Sequence, residues 1–357
     1  MQAMIDQYKT VIRTAAEHKT PLQIRGGGTK HFYGNPADGQ NHVLLDTANY
    51  NGIVDYEPTE LVITARAGTR LADLEVVLNQ KGQMLAFEPP HFGEVATLGG
   101  CVAAGLSGPR RAVAGAVRDF VLGVRMLDGK GEDLHFGGQV MKNVAGYDVS
   151  RLMAGAMGTL GVLLEVSLKV LPKPSAEITV RLQLDETAAI EKMNQWAGKP
   201  LPISATCYVD GELFLRFSGA ESAVRAAQAR LGGEELAESE VFWKSVREQT
   251  HGFFQPDKPL WRLSIKSTMS PLSVSGKQMM EWNGGLRWLL DDGNMSAETI
   301  RKIAKDAGGH ATLFRGNESR SHVFHPLDPA MMKIHQLLKQ KFDPAGILNP
   351  GRFYPTL

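Results

Sequence analysis

The sequence predicts a two-domain α+β protein, on three observations. Short apolar runs separated by glycine-rich turns fill the stretch up to about Pro174. The run Leu171-Pro172-Lys173-Pro174 then breaks the pattern. Beyond it the order changes to β-α-β-β-α, which points to a ferredoxin-like domain. The length agrees, since 357 residues at roughly 100–200 per domain make two. We divide the chain into residues 1–174, 175–327 and 328–357, the last a helix and tail.

In the first unit, Met4, Tyr8, Val11, Ile12, Ala15 and Ala16 recur at helical spacing. Pro21 ends that helix and a strand 22–25 follows. Residues 43–45, 52–56 and 61–65 read as strands. Thr69 is the expected N-cap of a helix with Leu71, Leu74, Val77 and Leu78 on one face, and Gly82 its C′ residue. Between Phe87 and Arg111 periodicity is lost, and Pro89-Pro90 with Gly99, Gly100, Gly105 and Gly108 argue for loops and turns. Strands are expected at 121–127, ending at Asp128-Gly129, and at 158–170. In the second unit, strands 203–209 and 212–217 meet at Asp210-Gly211, a type I′ turn signal. Further strands fall near 260–265 and 286–290. Asp328-Pro329 opens a final helix through Ile334, Leu337 and Leu338.

Composition removes several function classes. A net charge of +1 gives no global field for polyanions, which disfavours nucleic-acid binding. Two cysteines, Cys101 and Cys207, imply no disulfide framework and suit a reducing cytoplasm. They also fall short of the four thiolates an all-cysteine iron–sulfur cluster needs. Residues 1–18 carry Asp6, Lys9, Arg13 and Glu17 and lack the apolar stretch of a signal peptide. The longest apolar run, 152–171, is interrupted by Glu165 and Lys169 and falls short of a membrane span. Association with a membrane surface through a complex stays open.

Glycine carries the chemistry. In Arg25-Gly26-Gly27-Gly28-Thr29, directly after a strand, three glycines allow successive N–H groups to face one concavity, as a pyrophosphate requires. A flexible turn is the competing reading. The loop is no Rossmann site, because His31 stands where the third glycine belongs and Tyr33-Gly34-Asn35-Pro36 follows where a helix is required; Asp46 lies about 20 residues on only by coincidence. Gly276-Lys277 is no Walker loop, since Gln278 follows it. Ala96-Thr97-Leu98-Gly99-Gly100-Cys101, running into Gly105-Leu106-Ser107-Gly108, forms a second cluster. Gly155-Ala156-Met157-Gly158-Thr159-Leu160-Gly161-Val162 forms a third.

Together these segments resemble the FAD-binding domain of the vanillyl-alcohol-oxidase / p-cresol-methylhydroxylase (PCMH) superfamily. The matching run covers about residues 20–175. Phe342-Asp343-Pro344-Ala345-Gly346-Ile347-Leu348-Asn349-Pro350-Gly351 is similar to the terminal motif of its 2-hydroxyacid branch. Lys142-Asn143-Val144-Ala145-Gly146-Tyr147-Asp148 and the compact second domain look most like the E-type, FAD-binding subunits of bacterial glycolate oxidases. The resemblance implies a PCMH-type FAD-binding domain of two subdomains, followed by the smaller ferredoxin-like domain. It implies that the first glycine loop and Thr97, Leu98, Gly99 and Gly100 hold the pyrophosphate. It implies that Pro89, Pro90, Gly158, Thr159, Gly161, Val162 and Asn349 lie along the flavin or adenosine, and that the tail returns to the flavin. Gly105, Ser107 and Gly108 complete the expected cofactor residues. The flavin is expected to be non-covalent, with Gly28-Thr29 where attached family members often carry a histidine or cysteine. Cys101 and His31 are the nearby nucleophiles.

One departure matters. Catalytic subunits of this branch carry a His-x-Gly-Asp-Gly-Asn-x-His-type run that helps bind metal and substrate, whereas Asp291-Asp292-Gly293-Asn294-Met295 holds no histidine. No catalytic residue is assigned here. No metal site is expected either: His322 and His325 lie three apart, with His310 and His335 nearby, but Pro326 spoils helical geometry. Cys101 reads as a small packed residue. Arg110-Arg111 reads equally as an anion contact or a solvated pair, and Arg118-Asp119 as a structural ion pair. The expected role is an FAD-binding subunit of a glycolate (2-hydroxyacid) oxidase complex, with a homologous catalytic FAD subunit and an iron–sulfur subunit as partners, in the cytoplasm or at the cytoplasmic face of the inner membrane. Two other roles stay open: a non-catalytic assembly or electron-relay subunit, and a free-standing FAD-linked oxidoreductase acting on another alcohol.

Overall fold

The structure, a computed structural model, describes residues 1–36, 42–138, 148–255, 257–316 and 322–357. The run at 142–147 singled out above lies outside the described residues. An amphipathic helix, Gln2–His18, buries Ile5, Tyr8, Ile12 and Ala15 and ends on Lys19 in the left-handed region. It packs over a parallel pair of strands, Leu22–Arg25 and Val43–Asp46. Behind them stands a five-stranded antiparallel sheet in the order Ile53–Glu57, Val62–Arg66, Val162–Lys169, Val121–Leu127, Asp133–Gly137. The helix Leu71–Asn79 closes this core through Leu71, Leu74 and Leu78.

Four local expectations need correction. Arg70, not Thr69, is the N-cap of Leu71–Asn79, and it offers no side-chain cap. The Thr69 hydroxyl is drawn aside to accept from Gly52 N at 2.9 Å. Gly82 lies beyond the C-cap Gln80, where its φ of +64° serves the next turn. Inside the supposed loop region, residues Leu98–Ala104 form a helix, capped by the Thr97 hydroxyl accepting from Gly100 N and closed by Gly105 at φ +68°. The strand expected from 158 begins only at Val162, because Gly158 at φ +73° belongs to the turn before it.

After Lys169 the chain changes sheets. Leu171–Pro172 pairs with Gln83–Met84, stitching the break to the first domain. An eight-stranded antiparallel sheet follows, in the order Glu234–Glu235, Ala176–Gln183, Glu212–Gly219, Ile203–Val209, Lys277–Glu281, Leu286–Leu290, Leu260–Ser264, His310–Arg315. Its first four strands, with helices Glu186–Ala197 and Glu221–Leu231, have the βαββαβ order of a ferredoxin-like unit. Asp210 at φ 50° and Gly211 at φ 85° make the hairpin turn its sequence announced. The remaining four strands widen the sheet, and two of them, Lys277–Glu281 and His310–Arg315, were not foreseen.

The two helices cover one face through Ala189, Ile190, Met193, Trp196, Val224 and Ala227. The other face carries Cys207, Phe214, Met279, Trp288 and Phe314 against Tyr33, Leu106 and Met157 of the first domain. The final helix, Pro329–Phe342, starts at Asp328, whose carboxylate accepts from Met331 N. It returns to the first domain, where Leu338 and Phe342 pack on the core. Among the described residues no helix is long and apolar enough to cross a membrane.

Candidate functional site

The strand Leu22–Arg25 delivers the chain into Gly26-Gly27-Gly28, and the three glycines are needed for different reasons. A Cβ on Gly27 would overlap the Val95 carbonyl oxygen, and one on Gly26 the Thr97 hydroxyl. The loop therefore lies flat against the segment that leads into Leu98–Ala104. Gly28 has open space around it, with only the Arg25 side chain within 4 Å, but its φ is +70°. That conformation costs any other residue strain.

Asn349 holds the opposite wall. Its Oδ1 accepts from Ile24 N at 2.8 Å and its Nδ2 donates to Met157 O at 2.7 Å. Its own N donates to Leu22 O, and Leu348 bridges Leu22 in parallel. Below it, Lys339 donates to Thr159 O, Leu348 O and the Asp343 carboxylate, each at 2.7–2.8 Å. Asp343 in turn accepts from the amides of Ile347 and Leu348. Burial pulls the Lys339 ammonium below its usual range, against the attraction of Asp343.

Between these walls runs a cleft with about 780 Å³ of empty volume, adjoined by a second of about 520 Å³ that shares Ile24, Gly26, Gly100, Ala103, Met157 and Asn349 with it. The lining of the main cleft carries Arg25, Lys30 and Arg352 and, among the described residues, no carboxylate. Lys30 donates to His91 O at 3.1 Å, and burial lowers its pKa. Arg352 donates to Asn35 O and Tyr33 O. A cleft with backbone amides at a glycine turn, cationic side chains and apolar sides suits a dinucleotide pyrophosphate with its flanking groups. The residues fit FAD on this ground.

The expected cofactor residues divide into three groups. Arg25, Gly26, Gly27, Gly28, Thr29, Thr97, Gly100 and Asn349 line the main cleft, and Gly99, Gly158 and Gly161 the adjoining one. Pro90, Ser107 and Gly108 face a separate chamber at the seam between the domains. Pro89, Leu98, Gly105, Thr159 and Val162 line none of these three spaces. Leu98 and Val162 are core, and Thr159 Oγ1 donates to Ala156 O. Sequence reasoning missed Gln23, Ile24, Lys30, His42, Ala103, Met157 and Arg352. Alternation along the strand next to the loop was a signal for Ile24, and adjacency to Thr29 for Lys30. Met157 stands inside the third glycine cluster, which was its local signal; nothing local marked Arg352.

The other candidates resolve simply. Arg110 is not an anion contact: it pairs with Glu177 at 2.6 Å and Glu88 at 3.4 Å, while Arg216 reaches Glu88 at 2.8 Å, a network that joins the domains. Arg111 rests on the Trp282 ring at 4.3 Å. Arg118 and Asp119 stand 3.8 Å apart and exposed, a pair worth little. Cys101 is buried in the core, which pushes its thiol up to about 12. His325 Nδ1 accepts weakly from Ala311 N, and His335 stacks on Phe353. Among the described residues no group of three or more His, Cys, Asp or Glu is placed to hold a metal ion. The Asp291–Asp292 turn is used internally: Asp291 accepts from Gly293 N and Asp292 from Ser275 Oγ.

Comparison with known proteins agrees with this geometry. A family model described as an FAD binding domain matches residues 3–137. The glycolate oxidase subunit GlcE of Escherichia coli (strain K12) is 48% identical over 100% of this chain and 98% of its own length. The glycolate oxidase subunit GlcD of Bacillus subtilis (strain 168) is 29% identical over 49% of this chain and 37% of its own. Among solved structures, an alkyldihydroxyacetonephosphate synthase superposes with a TM-score of 0.65 at 15% identity, over 96% of this chain and 73% of that one, a likeness of fold alone. With a cleft that fits FAD and a full-length match to one such subunit, the chain belongs to the GlcE family of FAD-binding glycolate oxidase subunits.

Proposed function

We propose that this chain is the FAD-carrying subunit of a glycolate (2-hydroxyacid) oxidase complex, beside a homologous catalytic FAD subunit and an iron–sulfur subunit that takes the electrons. The observation that carries the reading is the glycine-built cleft closed by Asn349. FAD, when bound, accepts a hydride and can release electrons singly. The amides of Gly26, Gly27 and Gly28 with Arg25 and Lys30 would hold its pyrophosphate, and Asn349 would fix the wall beside it. Both cysteines are buried, and four thiolates are needed for an all-cysteine cluster, so the electron acceptor belongs to a partner. The flavin is held non-covalently. The complex works on the cytoplasmic side and reaches a membrane only through its partners.

The test is direct. The purified chain, reconstituted with FAD, should bind about one flavin per chain, as the glycine-built cleft requires. Acid precipitation should leave the yellow colour in the supernatant. No flavin after reconstitution, or colour in the pellet, overturns the respective statement.

A second reading, an assembly or relay subunit without turnover of its own, is favoured by the Asp291-Asp292-Gly293-Asn294-Met295 run, which lacks histidine. We expect the isolated FAD-loaded chain to reduce dye with glycolate or D-lactate far more slowly than about 10 per second, an ordinary enzyme rate. The assembled complex should do so, and lose the activity when this subunit is omitted. Fast turnover by the chain alone excludes the relay reading.

A further inference from the structure

The final helix, Pro329–Phe342, has two apolar sides. On the inner side Met332 packs on the cluster between the domains, and Leu338 and Phe342 pack on the core of the first domain. On the outer side Met331, Ile334 and Leu337 stand 42%, 49% and 55% exposed. At steps of three residues they form one ridge along a helix of 14 residues, about 21 Å long. Single exposed apolar residues are ordinary on any protein, whereas a continuous ridge of them marks an interaction face. The charge beside the ridge has one sign. Residues 329–342 hold Lys333, His335, Lys339 and Lys341 and no aspartate or glutamate. Lys339 is spent inward on Asp343, Thr159 O and Leu348 O. Lys333 and Lys341 remain exposed, and Lys341 stands four residues after Leu337, on the same side of the helix. Of the flanking carboxylates, Asp328 caps the helix and Asp343 is buried.

We propose that this ridge is the docking face for the electron-accepting partner, which meets it with an apolar groove rimmed by carboxylates. The proposal rests on the reading above that electrons leave to an iron–sulfur subunit, and adds the surface at which that subunit sits. The apolar ridge supplies the buried centre of such an interface, and Lys333 and Lys341 supply its charged rim. Position favours an electron acceptor over other partners. Two residues beyond Leu337, Lys339 grips Thr159 and Leu348, and Asn349 continues into the wall of the glycine cleft. A protein seated on the ridge therefore lies against the element that closes the cleft.

Two other occupants fit the face less well. A second copy of the chain, related by a two-fold axis, would set Lys333 and Lys341 against the same two lysines, and like charges facing each other oppose association. An anionic lipid surface takes a helix whose whole apolar side sinks about 5–10 Å into the boundary. Here Met332, Leu338 and Phe342 are committed inward, and three side chains remain to face out. A narrow ridge with cations beside it matches a protein groove with an acidic rim.

The experiment measures binding of the FAD-loaded chain to the purified iron–sulfur subunit and to the catalytic subunit, by sedimentation and calorimetry, with flavin absorbance read in the same samples. Ile334→Asp and Leu337→Asp should stay folded and yellow, since both positions are exposed. Each should weaken binding of the iron–sulfur subunit about tenfold or more, as loss of an interface anchor does. The double variant Lys333→Glu, Lys341→Glu should weaken it more at low salt than at high, because salt screens the rim charges. A folded, yellow Leu337→Asp chain that binds the iron–sulfur subunit like the parent overturns the docking face and leaves the reading of a complex intact. A parent chain that binds neither subunit overturns both. A double lysine variant that binds like the parent at low salt overturns the carboxylate rim. Loss of the catalytic subunit alone gives the face to that subunit and overturns the proposal. So does a dimer of the isolated chain, or its binding to phosphatidylglycerol vesicles, that is abolished by Leu337→Asp.

Discussion

The glycine cleft and the seam chamber are made of opposite materials. The cleft is walled by main chain: Gly27 lies on the Val95 carbonyl, and Gly99 approaches Ala67 so closely that a Cβ would come within 2.7 Å of its methyl. The chamber is walled by Trp282, Trp288, Phe314 and long charged side chains. A backbone surface recognises groups common to every copy of a cofactor, and tolerates almost no added atom. A side-chain surface can be re-cut for another small molecule by a few substitutions. The first region should therefore be brittle toward glycine replacement and the second toward charge removal.

The sharpest way to break this contrast is Gly27→Val. The new side chain would overlap backbone, so we expect a loss of more than about 4 kcal/mol, with flavin and cooperative unfolding lost together, measured by circular dichroism and absorbance. A folded, yellow Gly27→Val chain would show that the wall yields. Next comes a place where the backbone wall leans on a buried charged side chain. Lys339→Met leaves the Asp343 carboxylate and two carbonyls without their donor, at about 3–5 kcal/mol in urea unfolding. Asn349→Ala should cost less, about 1–3 kcal/mol, since it orphans Ile24 N and Met157 O. Its FAD dissociation constant should rise about tenfold if about half of that loss lies in the cleft. Gly28→Ala separates conformation from packing, because nothing stands in the way of its Cβ but φ +70°. It should cost about 1–2 kcal/mol, stay folded and bind FAD more weakly.

The smallest effect is a pH effect at the seam. Burial would raise the Glu88 carboxyl, but Arg216 and Arg110 outweigh it and hold it below its usual value. Its contribution is therefore present above the unfolded value and lost as pH falls through the lower folded one. In Glu88→Gln we expect a shallower loss of thermal stability on acidification than in the parent. An identical acid profile would mean the Glu88–Arg216–Arg110 network adds no pH-linked stability.

Local chemistry made much of this legible. The glycine loop, the Asp210-Gly211 hairpin and the Asp328 cap each announce themselves within four or five residues, because backbone conformation and capping are decided at that range. The helix Leu98–Ala104 was hidden by its own packing: Gly99 and Gly100 disfavour helix, and Gly99 is there because Ala67 leaves no room for a side chain. The strand His310–Arg315 stayed unseen because its partner, Leu260–Ser264, lies far back along the chain; Lys277–Glu281 has one partner, Leu286–Leu290, directly after it, but its other edge is set by the distant Ile203–Val209. The same distance hid the seam. Arg216 meets Glu88 across 128 residues, and Lys339 meets Thr159 across 180. Side-chain partners so separated leave no spacing to read.

The tie between Asn349 and the first strand orders events during synthesis. Ile24 and Met157 leave the ribosome long before Asn349 does, yet the wall they form is fastened by that residue. A nascent chain that has folded its glycine loop still has one side of the cleft loose. Cofactor loading is thus expected to be a late event, following the arrival of residues 339–352, and truncation before Lys339 is expected to yield a first domain that no longer retains flavin.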